Sequence, residues 1–145
     1  MTRAHSSWVV LKFGGTSVSS LANWKNIATV VRKRSATGAP VLVVHSAVTG
    51  ITDKLEKLLD AALQQKHEEA MAVIEKRHRD LAAELGVPVS AALEQHFADL
   101  KQIAAGVALV GEVSDKTRAR LMSAGELMAT EIGRASCRER VFVGV

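Results

Sequence analysis

Lys12-Phe13-Gly14-Gly15-Thr16-Ser17-Val18 carries the strongest chemical pattern in this 145-residue chain. Two glycines let backbone amides approach a ligand closely. The helical pattern that follows would present its N-terminus to the same point, and oriented amides at a positive dipole end cradle phosphate. Lys12, just before the loop, can bring a fixed cation to that phosphate. Thr16 and Ser17 can donate hydroxyl hydrogen bonds or cap the helix. The loop is not a Walker A sequence, because no Gly-Lys-Ser/Thr follows. Taken alone, a Gly-Gly pair more often makes a simple tight turn, with Ser17 as an N-cap. Lys12 argues for chemistry, since a charge inside an apolar strand is costly unless paired.

His45-Ser46-Ala47-Val48-Thr49-Gly50-Ile51-Thr52-Asp53 follows a second apolar run in the same manner. In an open parallel sheet both loops lie at the carboxyl edge of the strands, where ligands bind. Thr52 could cap the next helix or contact a substrate. His45 reads as a strand-end residue with no role. In Ser123-Ala124-Gly125-Glu126-Leu127-Met128, a glycine inside a helical pattern signals a kink or a close approach. Glu126 beside it is a suitable acceptor for an amine, or else an ordinary solvated glutamate. His67, His78 and His96 fall on charged helices without HExxH or paired-carboxylate spacing, and are expected at the surface. Cys137, the only cysteine, has no neighbouring histidine to activate it and can form no internal disulfide. No metal-ligating residue set is expected. Met122 and Met128 are expected in the core.

The elements that must position these residues follow from periodicity. Residues 8–13 and 40–45 are nearly continuous apolar, β-branched runs, as parallel strands buried on both faces should be. A helical pattern begins at Val18, with Leu21, Ile27, Val30 and Val31 near a 3.6 period, and ends by Gly38 and Pro40. Residues 51–63 form a second helix, with Ile51, Leu55, Leu58, Leu59 and Ala62 on one face. This strand–helix–strand order implies a right-handed crossover between parallel strands. Helices are then expected over 67–85, 90–105 and 114–131. In the first of these, Ala70, Ile74, Arg77 and Leu81 share one face. Leu93, Phe97, Leu100 and Ile103 share a face in the second.

Composition agrees with a soluble α/β chain. Hydrophobic residues make up 48%, charged residues 23% and aromatics 3%, so the core must be built from Val, Leu, Ile and Ala. The net charge of +4 hints at an anionic partner. The charge is not clustered, however, and no basic stripe interleaves with aromatics, so no nucleic-acid partner is expected. Residues 1–7 are polar, lack a signal-peptide pattern and are expected to be a flexible N-terminus. The apolar run after them is too short to span a membrane, and a cytoplasmic location is expected.

The three motifs together resemble the aspartate kinases of the amino-acid kinase family. Lys12 to Val18 is similar to that family's opening KFGGTSV sequence at every position. His45 to Asp53 resembles its second motif, and Ser123 to Met128 its Ser-x-Gly-Glu motif. The resemblance covers residues 8 to about 131, with order and spacing in agreement. It implies the N-terminal part of a three-layer αβα sandwich with a mostly parallel sheet, truncated before the nucleotide-binding half and regulatory ACT domains. It implies transfer of the γ-phosphoryl group of ATP, with Mg2+, to the side-chain carboxylate of L-aspartate, the step leading to lysine, threonine and methionine. On this resemblance Lys12 is catalytic and stabilises the transferring group. Gly14, Gly15, Thr16, Ser17, Ser46 and Ala47 contact ATP or its phosphates. Thr52 and Glu126 hold aspartate, with Glu126 facing its ammonium group. The parent protein would be a homo-oligomer. The opening residues most resemble a form fused to a diaminopimelate decarboxylase.

Residues 132–145 depart from the resemblance. They are similar to the translation of a short-read sequencing adapter, and are expected to be a non-native tail. That segment holds three arginines, one glutamate and Cys137, so without it the net charge is +2 rather than +4. The fragment alone is expected to be inactive. Two other readings stand beside the kinase: another member of the same family, or a non-catalytic helical interaction module using the surface between Leu55 and Ile103.

Overall fold

The computed structural model describes residues 8–141, with side chains described through residue 137. Val9–Phe13 forms β1 and Val41–His45 forms β2. They pair in parallel, Val9 opposite Val41 and Phe13 opposite His45, as the strand–helix–strand order requires. Both strands therefore end at the same edge. The Ser46 amide donates to the Phe13 carbonyl at 3.1 Å, so the two loops leave the sheet side by side.

The strands are not buried on both faces, as their apolar sequence implied. Leu11, Phe13, Val41 and Val43 pack onto the core, whereas Val10, Leu42 and Val44 are 60%, 48% and 42% exposed. Successive strand side chains point to opposite faces, and among the described residues the helices cover only one. Lys12, paired with Val44, lies on the open face and is exposed. The expected burial cost of its charge is therefore absent.

The helix expected from Val18 starts later. Gly15–Val18 is a single 3-10 turn, and α1 runs over Leu21–Ser35. Ser20, in extended backbone, caps α1 by accepting from the Asn23 amide at 3.4 Å. Ser17 is not that cap; its amide donates to Gly14 O at 3.0 Å within the 3-10 turn.

Four helices follow: α2 (Ile51–Leu63), α3 (His67–Leu85), α4 (Ala91–Val110) and α5 (Asp115–Val141). α2 is the hub. Ile51, Leu55, Leu58, Leu59 and Ala62 are all wholly buried, and α3, α4 and α5 each pack on it. Its i, i+4, i+7, i+8 spacing makes one apolar stripe wide enough for several neighbours. Burying each such leucine or isoleucine contributes roughly 1.5–3 kcal/mol. Leu55 is thus core, and the partner surface suggested between Leu55 and Ile103 is closed at its first residue. Met128 is buried as expected, and Met122 half-buried.

Two boundaries moved outward. α4 continues past residue 105 to Gly111, whose φ of +76 ends it in the left-handed region that glycine tolerates. α5 continues past residue 131 without a break, and Ile132 and Ser136 are buried on it. There a Cβ on Gly133 would lie 2.4 Å from the Trp24 ring, so α5 and α1 meet at glycine. The result is a mixed α/β unit: a two-stranded parallel sheet with α1 on one face, beside a helical cluster centred on α2.

Candidate active site

The glycine loop is held by its carbonyls. Gly14 O accepts from Ser17 N at 3.0 Å, and Gly15 O accepts from the Ser19 hydroxyl. Thr16 O accepts from Asn23 Nδ2 at 2.8 Å, and Val18 O from the buried Trp24 Nε1 at 2.9 Å. Ser19 O accepts from an Arg77 guanidinium nitrogen at 2.8 Å. The first bond of the 3-10 turn begins at the Ser17 amide, so among the described residues the amides of Gly15 and Thr16 precede it and are left for other acceptors. With carbonyls turned to the protein, the loop presents donors, as an anion-binding loop must.

The second loop touches the first. A Cβ on Gly15 would lie 2.7 Å from Ala47 O and 3.5 Å from Thr49 N, so only glycine fits. The Thr49 amide donates to Ser19 Oγ at 3.0 Å, and the two hydroxyl oxygens of Ser19 and Thr49 are 3.0 Å apart. Gly50, with φ +77, turns the chain from this loop into α2. Ser46 is half-buried and Ala47 buried. His45 is a strand-end residue: its Nδ1 lies 3.1 Å from Ser46 O, and its ring meets Trp24 edge-on at 5.8 Å.

The third motif closes on the second. Gly125 is buried in α5, and a Cβ there would meet Ala47 Cβ at 3.1 Å, Leu55 Cδ1 at 3.2 Å and Ile51 Cγ2 at 3.4 Å. Of the two meanings of a glycine in a helix, the close approach is the one observed, and α5 runs on unbroken. Glu126 follows Gly125 in α5, and Thr52 follows Ile51 in α2; both are exposed beside this contact. Gly15, Ala47 and Gly125 thus form a chain of contacts joining all three motifs. Lys12 stands at the end of β1 leading into it, and Gly14 and Thr16 are exposed on the loop.

Several positioning groups escaped sequence reasoning. Ser19, Thr49 and Asn23 hold the loops, while Arg77 and Glu84 reach them from α3, Glu84 accepting from Leu21 N at 2.9 Å. One signal was present: Arg77 shares a helix face with Ala70, Ile74 and Leu81, where a charge needs an internal partner. His78 is not at the surface as expected. It is wholly buried, with Nδ1 2.8 Å from Ile74 O and the ring edge-on to Phe97 at 6.0 Å. Burial pushes its pKa down, the bond to Ile74 opposes this, and the nearby Arg77 charge adds to the lowering. His67 and His96 are half-buried. No group of three or more His, Cys, Asp or Glu able to hold a metal occurs among the described residues.

Comparison with known proteins agrees with this convergence. The amino acid kinase family model matches residues 7–138. An aspartokinase of Chlamydia muridarum is 33% identical over 130 residues, covering 90% of this chain and 27% of that protein. The chloroplastic aspartokinase 2 of Arabidopsis thaliana is 33% identical over 128 residues, covering 85% of this chain and 23% of that protein. In structure the chain is similar to E. coli aspartokinase III in complex with aspartate and ADP, with a TM-score of 0.77 and 30% identity. That match covers 92% of this chain and 29% of the other. The chain therefore spans less than a third of the length of each of these relatives. With its glycine loop, its second loop and its Gly125-Glu126 helix in contact, and the family model matched from end to end of the described core, the chain belongs to the amino acid kinase family.

Proposed function

We propose that this chain is the N-terminal part of an aspartate kinase, whose whole protein transfers the γ-phosphoryl group of ATP to the side-chain carboxylate of L-aspartate. The observation that carries this is the contact chain from Gly15 through Ala47 to Gly125, which brings the glycine loop, the second loop and the Gly125-Glu126 turn of α5 together. The relatives named aspartokinase, and the similar structure holding aspartate and ADP, support the choice of substrates.

In this reaction a carboxylate oxygen attacks the γ-phosphorus, the bond from that phosphorus to the β,γ-bridging oxygen breaks, and ADP leaves with its electron pair. Such transfers depend on positioning and charge neutralisation. Lys12 neutralises charge on the transferring group, from an exposed position that a polyanion can reach. The amides of Gly14 and Gly15 and the hydroxyls of Thr16 and Ser17 hold phosphate oxygens. Ser46 and Ala47 line the opposite side. Thr52 and Glu126 hold aspartate, Glu126 pairing with its ammonium group. Mg2+ is implied by the family, but the described residues offer no carboxylate cluster for it. On this reading it would be held by the phosphates, whose charge it would help to neutralise.

The open face of the sheet, with Val10, Leu42 and Val44, supports a further helical layer in the whole domain, completing a three-layer αβα sandwich. That face is too apolar to remain wet in a stable sheet.

The test is to express the full product of the reading frame containing this chain and supply ATP and L-aspartate. Hydroxylamine traps an acyl phosphate as its hydroxamate. Aspartyl hydroxamate formed with stoichiometric ADP is the expected result. Lys12→Met should lower kcat by about 10²–10³-fold, the scale of losing one preorganised charge partner. Turnover with another carboxylate or a nucleotide, but not with aspartate, would assign a different member of the family.

A further inference from the structure

We propose that Ser19 is a positioning residue for phosphoryl transfer, its single hydroxyl latching the glycine loop to the Ser46-Ala47 loop. This rests on the kinase reading above. A hydroxyl has one proton and two lone pairs. Gly15 O can only accept, so it takes the Ser19 proton. The Thr49 amide donates to a lone pair of Ser19 Oγ at 3.0 Å, and the same Ser19 proton also reaches Thr49 Oγ1, 3.0 Å away and placed to accept.

Thirty residues separate Ser19 from Thr49, so the contact is no local turn or cap. It bridges the two strand-end loops beside the Gly15–Ala47 contact, where their separation sets the width of the site. Nor is Ser19 free to drift. Its amide donates to Thr16 O at 3.3 Å, its carbonyl accepts from Arg77, and the next amide but one, Leu21 N, donates to Glu84 at 2.9 Å. Both side chains come from α3, which contributes none of the proposed substrate contacts. α3 thereby fixes the latch from behind, and the latch fixes the loops. Ser19 acts through Gly15 and Thr49, without touching substrate.

The experiment compares Ser19→Ala, Thr49→Val and the double variant in the full product of the reading frame, by steady-state kinetics and thermal unfolding. A misplaced reacting geometry lowers kcat while ground-state affinity persists. Ser19→Ala is expected to lower kcat about tenfold or more, with KM for aspartate within about twofold and Tm within about 2 °C. The double variant should be no slower than Ser19→Ala, because both changes break one latch. A Ser19→Ala enzyme with kcat near that of the unsubstituted protein overturns the proposal, as does a loss explained by an equal fall in folded enzyme. Independent, multiplying losses in the double variant also overturn it. If the unsubstituted protein does not phosphorylate aspartate, the kinase reading fails, and the latch is judged by hydrogen exchange alone. Faster exchange at the amides of residues 14–16 and 49 in Ser19→Ala then supports it, and unchanged exchange overturns it.

Discussion

Gly15 and Ala47 are in backbone contact, so close that a Cβ on Gly15 would stand 2.7 Å from the Ala47 carbonyl oxygen. A carbonyl held between a strand and a helix cannot swing aside as a flexible side chain can. Gly15→Ala must therefore part the two loops. We expect a loss of kcat/KM of about hundredfold, the scale of a 1 Å misplacement. Unfolding in urea should report destabilisation of about 1–3 kcal/mol from overpacking. Gly14→Ala is the contrast: nothing lies within 4 Å of its Cβ and φ is −75, so stability should change little.

Gly125 separates helix propensity from packing. Alanine in a helix interior is favoured over glycine by about 1 kcal/mol, but its Cβ would press on Ala47 Cβ at 3.1 Å and Leu55 Cδ1 at 3.2 Å. These effects nearly cancel, so Gly125→Ala should keep its stability within about 1 kcal/mol. The shift of α5 would still move Glu126, and KM for aspartate should rise with little change in kcat. Gly125→Val adds bulk where no space remains, and should unfold at distinctly lower urea. A Gly125→Ala protein with unchanged KM would show that Glu126 is not tied to the substrate through this contact.

His78 makes stability depend on pH. The carbonyl of Ile74 can only accept, so Nδ1 carries the proton and donates to it at 2.8 Å. Nε2 is then an unprotonated, buried atom with no partner. Protonating it would place a charge and an unused N–H beside Phe97, with Arg77 adding repulsion. The folded state therefore binds this proton more weakly than the unfolded chain, whose histidine titrates near 6.5. Stability from this source is complete above about 6.5 and declines as pH falls below it, until the folded pKa is passed. Urea midpoints measured at pH 5, 6, 7 and 8 should fall toward acid. In His78→Leu that dependence should shrink, whatever the baseline change. An identical pH profile in the two proteins would assign the dependence to other groups.

The segment from Ile132 onward is the place where the chemistry of the gene, rather than of the protein, decides. Its resemblance to a translated adapter predicts that source DNA, amplified across the codon for Glu131 and resequenced, departs from Ile132–Val145. DNA encoding residues 132–145 as they stand would make the burial of Ile132 and Ser136 and the Gly133–Trp24 contact native features.

What the amino-acid order determined by itself was local. The period of α2 and α3, the parallel pairing implied by strand, helix and strand, and the turn at Gly14-Gly15 are written in neighbouring residues, because helix and strand periodicities act over a few positions. Tertiary structure alone decided which strand face is covered, so the apolar runs around Val10 and Val44 read as buried on both sides although, among the described residues, one side is open. It decided that His78, with Lys76, Arg77, Arg79 and Asp80 for neighbours, turns inward, since its exposure depends on Phe97 in another helix. And it alone joined Ser19 to Thr49 and Arg77 to Ser19. A hydroxyl or guanidinium whose partner lies dozens of residues away leaves no periodic trace. Its partner is chosen by how helices pack, and that choice is made by the whole core at once.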